Sequence, residues 1–571
     1  MKSLLLDVGS TLIKYSFYDN EAKTNTKVAS IHFPKPIIET DSLYEVDRHK
    51  IDEALMCIMD EAEANGCSVA FISVQMHGYL LKYQDEFSNY ISWKDTRGRT
   101  FSEAIGDKDR FEKGTAIKAN LPYISLHTYA SLTGREFFTL GSYIAYALTG
   151  NNVTHITDAC ASGLFHVDTC AFDTVFEGLL GPKAVSEMKS CGRYKGIDVY
   201  PPMGDHQISF LGADVLHGEA VLNLGTAAQL SVLTDDAAER FRGIEYRPYF
   251  MRGKRVATLS GFYSADQDAL ISGIKNTVYR LKNVHKIWIS GGGAAEKYSF
   301  FASELQMLGY EVQQCCKNVG NDGLKRISDS VYCKRGTMLS EIEFVNFPYV
   351  LKKAKLDFFI IDNEHGCFEN KTVNALAMNA RQIGIQAIVR LPDNRRELIT
   401  KLADGSVSGF LLPMTNCKAD IEKVVEYAKY FPQGKRGIST TRAHTEYGVA
   451  DIKEYMKRAN ERMKIYAQIE TEAGVENLEE ILNVNELEGV FIGPNDLSCD
   501  FNCMGDTKKI KELISVIARA CLMNDKPCGI ITADKELITH ALLCGCSMVS
   551  CGSELNMLKK GADEIKNETY L

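Results

Sequence analysis

No apolar run in this 571-residue chain approaches the roughly 18 residues that a membrane-spanning helix needs. The opening run, Met1-Lys2-Ser3-Leu4-Leu5-Leu6-Asp7, is too short for a secretory leader and is broken by Asp7. Long basic tracts are also missing, and the formal charge is −9, which argues against a nucleic-acid or anionic-membrane partner. There is no short internal repeat and no low-complexity tract. Seventeen cysteines are present, but no spacing among them matches a zinc site, and the adjacent Cys315-Cys316 pair is poorly placed to close on one metal. Cys544, Cys546 and Cys551 sit inside apolar runs and read as small core residues. What remains is the composition of a soluble globular protein, 45% apolar and 24% charged, with a reducing cytoplasm as the expected compartment.

The length exceeds one ordinary core, so two or three domains are expected. Residues 1–200 open with a strand-like Ser3–Asp7, a Gly-containing turn and a second strand at Tyr15–Tyr18, the pattern of a hairpin. Val69–Val74 reads as a buried strand and Phe137–Leu148 as a helix. A second lobe, 201–330, begins at the turn Pro201-Pro202-Met203-Gly204-Asp205 and carries strand-like runs at Ala220–Leu224 and Lys286–Ser290. The polar, Gly-containing segment 317–336 reads as a boundary. From there to residue 571, eight short apolar runs alternate with helical segments: 337–341, 357–362, 386–391, 409–413, 464–470, 488–493, 527–532 and 546–551. That pattern is α/β and favours a (β/α)8 barrel.

Three turns in the N-terminal half have the vocabulary of phosphate handling. Asp7-Val8-Gly9-Ser10-Thr11, with Lys14 just beyond, lets backbone N–H groups approach phosphate oxygens while Asp7 holds magnesium through water. Asn223-Leu224-Gly225-Thr226 and Ser290-Gly291-Gly292-Gly293 are the others, each weak alone. Their order, with Gly204-Asp205-His206-Gln207 between the first two, is more specific. Together with Gln75-Met76-His77-Gly78, Trp93-Lys94-Asp95-Thr96-Arg97 and Ile156-Thr157-Asp158, residues 1–325 resemble the FGGY carbohydrate kinases of the actin-like ATPase fold. The resemblance implies that Asp205 is the base that deprotonates a sugar hydroxyl. It further implies that Gly9, Ser10, Thr11, Gly225 and Thr226 hold ATP phosphates, and that Gly291, Gly292 and Gly293 approach the nucleotide. His77, Asp95 and Arg97 would line the sugar site. About 65 residues separate the second turn from the Gly triplet, a short nucleotide lobe.

In the C-terminal half, Glu470 closes one apolar run (Y-A-Q-I-E-T) and Asp496 follows the next (F-I-G-P-N-D-L-S). Consecutive barrel strands end on one face, so both carboxylates are expected at the mouth, a set suited to Mg2+ or Mn2+ with water in the remaining positions. Ile361-Asp362-Asn363-Glu364-His365 and Ile388-Val389-Arg390-Leu391-Pro392 end two earlier strands. Arg390 would neutralise charge developing on a 2-oxo acid and His365 would move a proton. A Schiff-base mechanism needs an inner-strand lysine, and none lies in Val389–Pro392, Leu411–Met414, Gln468–Glu470 or Phe491–Asp496. With K-R-G-I-S added, residues 334–565 resemble the HpcH/HpaI class II pyruvate aldolases. That resemblance makes Glu470 and Asp496 metal ligands, Gln468 and Asn495 substrate contacts, and Asp404 the acidic partner of His365. It also implies a homo-oligomer built by the barrel.

The combined expectation is a bifunctional enzyme, an ATP-dependent ketose-type sugar kinase joined to a metal-dependent lyase acting through a pyruvate enolate. The open alternative is an active aldolase carrying a non-catalytic sugar- or nucleotide-sensing module, motivated by the short nucleotide lobe.

Overall fold

The protein was analysed as a computed structural model. It describes residues 1–571 except 103–119, 173–175, 216–217, 225–226, 236–240, 242–243, 252–253, 264–271, 273, 275–283, 291–293, 316–318, 446 and 569–571. The chain divides into two compact units, Met1–Val331 and Tyr332–Leu571.

The first unit is mixed α/β. Its leading sheet is built on Lys2–Val8, a run of leucines that pairs antiparallel with Leu12–Asp19 and parallel with Cys67–Val74. The hairpin register sets Asp7 opposite Lys14. A six-stranded sheet in the second lobe repeats this arrangement: Glu219–Leu224 runs antiparallel to Ala227–Asp235 and parallel to Lys286–Ser290. Central strands buried on both faces need near-continuous apolar sequence, which Leu4, Leu5 and Leu6 supply at under 2% exposure.

One expectation for this unit needs correction. Phe137–Leu148 is not one helix: Arg135–Thr139 is a strand, and the helix is Leu140–Thr149, capped by the Thr139 hydroxyl on the Ser142 amide. Segment 317–336, read as a boundary, contains the helix Val319–Val331, and the division between the two units follows that helix. That helix packs on Asp205–Gly212 through glycine. A Cβ on Gly323 would lie 2.0 Å from the Ile208 carbonyl oxygen, and one on Gly212 1.8 Å from that of Val319. Its other face reaches the leading sheet, where Asn20 donates to Ser328 at 2.7 Å and Ser16 to Asn321 at 2.7 Å.

The second unit is a closed parallel barrel of eight strands in chain order: Lys334–Leu339, Phe358–Asp362, Gln386–Arg390, Gly409–Leu412, Lys464–Ile469, Gly489–Ile492, Cys528–Ile531 and Met548–Ser553. Phe358, Ile360, Ile388, Leu411, Tyr466, Phe491 and Met548 fill its interior, and alternate residues pack outward on the helices. The first strand starts three residues before the expected run and the eighth ends two after it. Cys546 is buried as expected and Cys544 half-buried, but Cys551 is exposed, because it lies beyond the part of its strand that faces the core. No helix among the described residues is long and apolar enough to cross a membrane.

Candidate active site

At the mouth of the barrel, strand ends and the turns after them bring five charged groups into one electrostatic neighbourhood. Arg390 is the last residue of the third strand and is 7% exposed. Its Nε and Nη2 donate to the two oxygens of Asp362, the last residue of the second strand, at 3.0 and 2.7 Å. Such a two-pronged contact fixes the guanidinium plane as well as its charge. Asp362 also accepts the amides of Glu364 and His365, each at 3.2 Å, so it shapes the loop that carries both. Against the cost of burial, Arg390 holds the Asp362 carboxyl below the usual carboxylate range. Glu364 takes the remaining edge of Arg390, with Nη1 at 3.2 Å.

Glu470 directly follows the fifth strand and is 2% exposed. Its carboxylate accepts the Met414 amide at 2.7 Å and the Gln468 side-chain amide. Met414, just past the fourth strand, holds a φ of 48° to make that contact, the kind of local strain that collects at functional sites. Burial, joined by the charges of Asp496 and Glu364, pushes the Glu470 carboxyl up to about 7. Glu364 is likewise raised, first by burial and then by Asp362 and Asp496. Asp496 stands exposed in the first turn of the helix Pro494–Asp500, after the adjacent sixth strand. Asn495 beside it is exposed too, and its carbonyl accepts the Ser498 hydroxyl.

His365 is exposed on the same loop, 3.8 Å from Glu364. Asp404 lies apart from it within the chain: it ends the helix Arg396–Asp404, which returns to the strand N-terminal rim, and it pairs with Arg436 at 2.6 Å. Asp362 and Glu364 were placed at this strand end from sequence, within the run Ile361–His365, but were given no role of their own. The signal was there, since Asp362 closes a strand as Glu470 does.

A divalent cation fits this donor set. No three His, Cys, Asp or Glu side chains among the described residues form a ready-made metal cage. Glu470 is nevertheless strained by neighbouring negative charge, and the buried Oε1 of Gln468 beside it has no hydrogen-bond partner. Two carboxylates with further positions open to water and substrate match the habits of Mg2+ and Mn2+.

In the first unit, the motifs noted in the sequence meet one another. Gln75 donates to the carbonyl of Gly9 at 3.4 Å. His77 adopts a φ of 69° and its Nδ1 donates to the Ala161 carbonyl at 2.7 Å. Gly78 has no room for a side chain, because a Cβ there would lie 2.0 Å from the Tyr90 hydroxyl oxygen. Gly204 and Gln207 donate to Thr157 at 3.2 Å each.

Asp205 opens the helix Asp205–Gly212. Burial and the charge of Asp7 push it up to about 7, while Arg247 opposes. Asp7 is itself raised by burial, against a 2.6 Å hydrogen bond from Ser73 and the charge of Lys14. Two carboxyls that both resist ionisation, one of them raised by the charge of the other, are a donor set that a divalent cation would relieve. Gly9 donates to the Leu12 carbonyl, closing the tight turn that holds Ser10 and Thr11. Asp95 is 1% exposed and is engaged by the Arg97 guanidinium and the Tyr44 amide, while Arg97 also reaches Glu45 at 2.7 Å. Gly225, Thr226, Gly291, Gly292 and Gly293 lie outside the described residues. Arg247, fully buried and paired with Glu245 close to Asp205, had not been picked out from the sequence.

Comparison with known proteins separates the two units. The sequence model of the HpcH/HpaI aldolase/citrate lyase family matches residues 349–560. A hydroxypyruvate/pyruvate aldolase from Roseovarius nubinhibens is 31% identical over 220 residues, covering 38% of this chain and 85% of that protein. A 5-keto-4-deoxy-D-glucarate aldolase from Salmonella arizonae is 26% identical over 218 residues, 38% of this chain and 84% of that protein. The structure of a gluconate kinase from Lactobacillus acidophilus superposes with a TM-score of 0.50 at 14% identity, covering 58% of this chain and 89% of that one. A xylulose-type kinase from Brucella ovis gives 0.50 at 16% identity, over 57% and 89%. At such identities the likeness is one of fold.

Proposed function

The chain belongs, through its barrel, to the HpcH/HpaI aldolase/citrate lyase family, and from that premise we propose a cytoplasmic enzyme of two activities. One is a divalent-metal-dependent cleavage or formation of a 2-keto-3-deoxy acid. The other is ATP-dependent phosphorylation of a neutral, ketose-type sugar. The observation that carries the lyase reading is the gathering of Glu364 and Glu470 about an Arg390 held by Asp362, with the charge of Asp496 acting on both carboxyls.

Glu470 and Asp496 would hold Mg2+ or Mn2+, which supplies Lewis-acid polarisation of the 2-oxo acid. Arg390, locked in plane by Asp362, places fixed positive charge where the 2-oxo oxygen gains electrons as the carbon–carbon bond breaks. His365, on a mobile-length side chain at the rim, takes the proton from the hydroxyl that becomes the aldehyde, and returns it in the reverse direction. Gln468 orients Glu470 and keeps one carbonyl oxygen free toward the substrate. Asn495 flanks the same opening, and Asp404 would serve a His365 of another copy in a homo-oligomer.

In the kinase unit, Asp205 takes the proton of the attacking hydroxyl. The turn Gly9-Ser10-Thr11, with Lys14 and Asp7, would hold ATP and its magnesium, which supply the phosphoryl group. His77, fixed by the Ala161 carbonyl, and Arg97, fixed by Asp95, would present polar hydrogens to the sugar.

The lyase is tested by following pyruvate release from 2-keto-3-deoxy acids with Mg2+ or Mn2+. EDTA and Glu470→Gln are each expected to cut the rate by at least about 100-fold. Release that persists after chelation would rule out the metal-dependent reading. The kinase is tested with ATP across a panel of ketoses, and a wild type inert toward all of them would favour the sensing module.

A further inference from the structure

The rim of the barrel mouth holds a buried carboxylate that the proposed reaction does not use. Glu554 directly follows the eighth strand, Met548–Ser553, and is fully buried. Its Oε1 accepts three successive backbone amides just beyond the first strand: Ser340 at 2.8 Å, Glu341 at 2.6 Å and Ile342 at 3.2 Å. The eighth strand carries one extra residue against the first, since Gly336 faces Ser550 but Met338 faces Ser553. Within that bulge Gly552 takes a φ of 64°, and its carbonyl receives the Thr337 hydroxyl at 3.2 Å. Bulges re-aim side chains and gather beside active sites.

The middle amide of the three links Glu554 to the catalytic loop. A peptide group is planar, so the Glu341 N–H and the Ser340 carbonyl move as one plate. Glu554 holds the N–H edge of that plate. The carbonyl edge lies against Gly366, where a Cβ would be 2.7 Å from the Ser340 oxygen and 2.1 Å from the Asp362 carbonyl oxygen. Gly366 follows His365, whose own amide is held by the Asp362 side chain. The His365 side chain is 73% exposed, so the backbone beneath it sets where the ring points. Stability alone does not account for Glu554. Its Oε2 is buried with no hydrogen-bond partner among the described residues, and such an orphaned oxygen is a cost to the fold.

We propose that Glu554 is a positioning residue of the lyase. Through the Ser340–Glu341 peptide and Gly366 it fixes the backbone from which His365 reaches the substrate hydroxyl. This inference rests on the lyase reading above.

The experiment compares two reactions of the full-length protein with Mg2+. Cleavage of a 2-keto-3-deoxy acid requires a proton to leave a hydroxyl. Decarboxylation of oxaloacetate forms the same pyruvate enolate as CO2 departs, and no hydroxyl proton has to be taken. Glu554→Ala is expected to lower kcat for cleavage at least about tenfold, the effect of a slightly misplaced group, and to keep decarboxylation within about twofold. If Glu554→Ala loses the barrel's unfolding transition in calorimetry, Glu554→Gln is read by the same comparison. Its neutral oxygen holds the amides more weakly, and a loss of about threefold in cleavage is expected. In a His365→Ala background, Glu554→Ala is expected to cost less than about twofold more, because two residues acting through one step do not add. That last comparison needs the cleavage rate alone. A wild type that cleaves none of the acids removes the lyase reading and this proposal with it. With wild-type cleavage established, three results overturn the positioning role and leave the lyase standing. They are unchanged cleavage in the Glu554 variants, an equal fall in both reactions, and a loss that multiplies with that of His365→Ala.

Discussion

Asp362 shows how a single carboxylate can govern a site it need not touch. Its two oxygens carry Arg390 and its loop contacts carry His365 and Glu364, so removing its charge loosens three groups together. Asp362→Asn keeps the shape but leaves Arg390 with a weaker partner. Its kcat for pyruvate release is expected to fall about 100-fold with KM changed far less, the mark of lost transition-state stabilisation. A pure rise in KM would show that Arg390 serves binding alone. Asp205 makes a prediction in pH. Its carboxyl is raised to about 7, and only the ionised form can accept a proton. The kinase kcat/KM is therefore expected to drop tenfold per unit below pH 7 and to level off above it. Asp205→Asn should remove the activity together with that limb. A profile flat from pH 5 to 8 would mean that another group is the base.

Among the elements, the barrel strands could be read from the chain because both faces of each are covered, which forces short, uninterrupted apolar runs such as Phe358–Asp362. Glu470 and Asp496 were legible for the same reason: they follow such runs. The helix Val319–Val331 was not, and its composition explains the miss. Its first turns carry Gly320, Asn321, Asp322 and Gly323, residues that read as loop punctuation, while the two glycines form part of the contact face. The strand Arg135–Thr139 was absorbed into the following helix because Phe137 and Phe138 continue the apolar run of Leu140–Thr149 without a break. The glycine crossing is testable. Gly323→Ala adds one methyl against the Ile208 carbonyl at 2.0 Å, where the partner is backbone and cannot swing away. It is expected to destabilise the first unit by about 1–3 kcal/mol, seen as an earlier unfolding transition in calorimetry. The barrel transition should stay in place.

At the scale of the whole molecule, each proposed reaction draws its residues from one unit. Asp7, His77 and Asp205 lie within Met1–Val331, while Glu364, Arg390, Glu470 and Asp496 lie within Tyr332–Leu571. Chemistry also separates them, since a barrel mouth with Arg390 beside carboxylates proposed to hold a cation suits an acid. In the first unit Arg97 and Arg247 are already matched by Asp95, Glu45 and Glu245, which leaves the site proposed there suited to neutral hydroxyls. Two separate sites should fail separately. Asp205→Asn is expected to leave pyruvate release within about twofold of wild type, and Glu470→Gln to leave sugar phosphorylation equally unaffected. In the double variant the two losses should combine with a coupling below about 0.5 kcal/mol, as for independent sites. A coupling of tenfold or more in either rate would mean that one reaction depends on the state of the other unit, and the chain would then be one machine rather than two enzymes sharing a backbone.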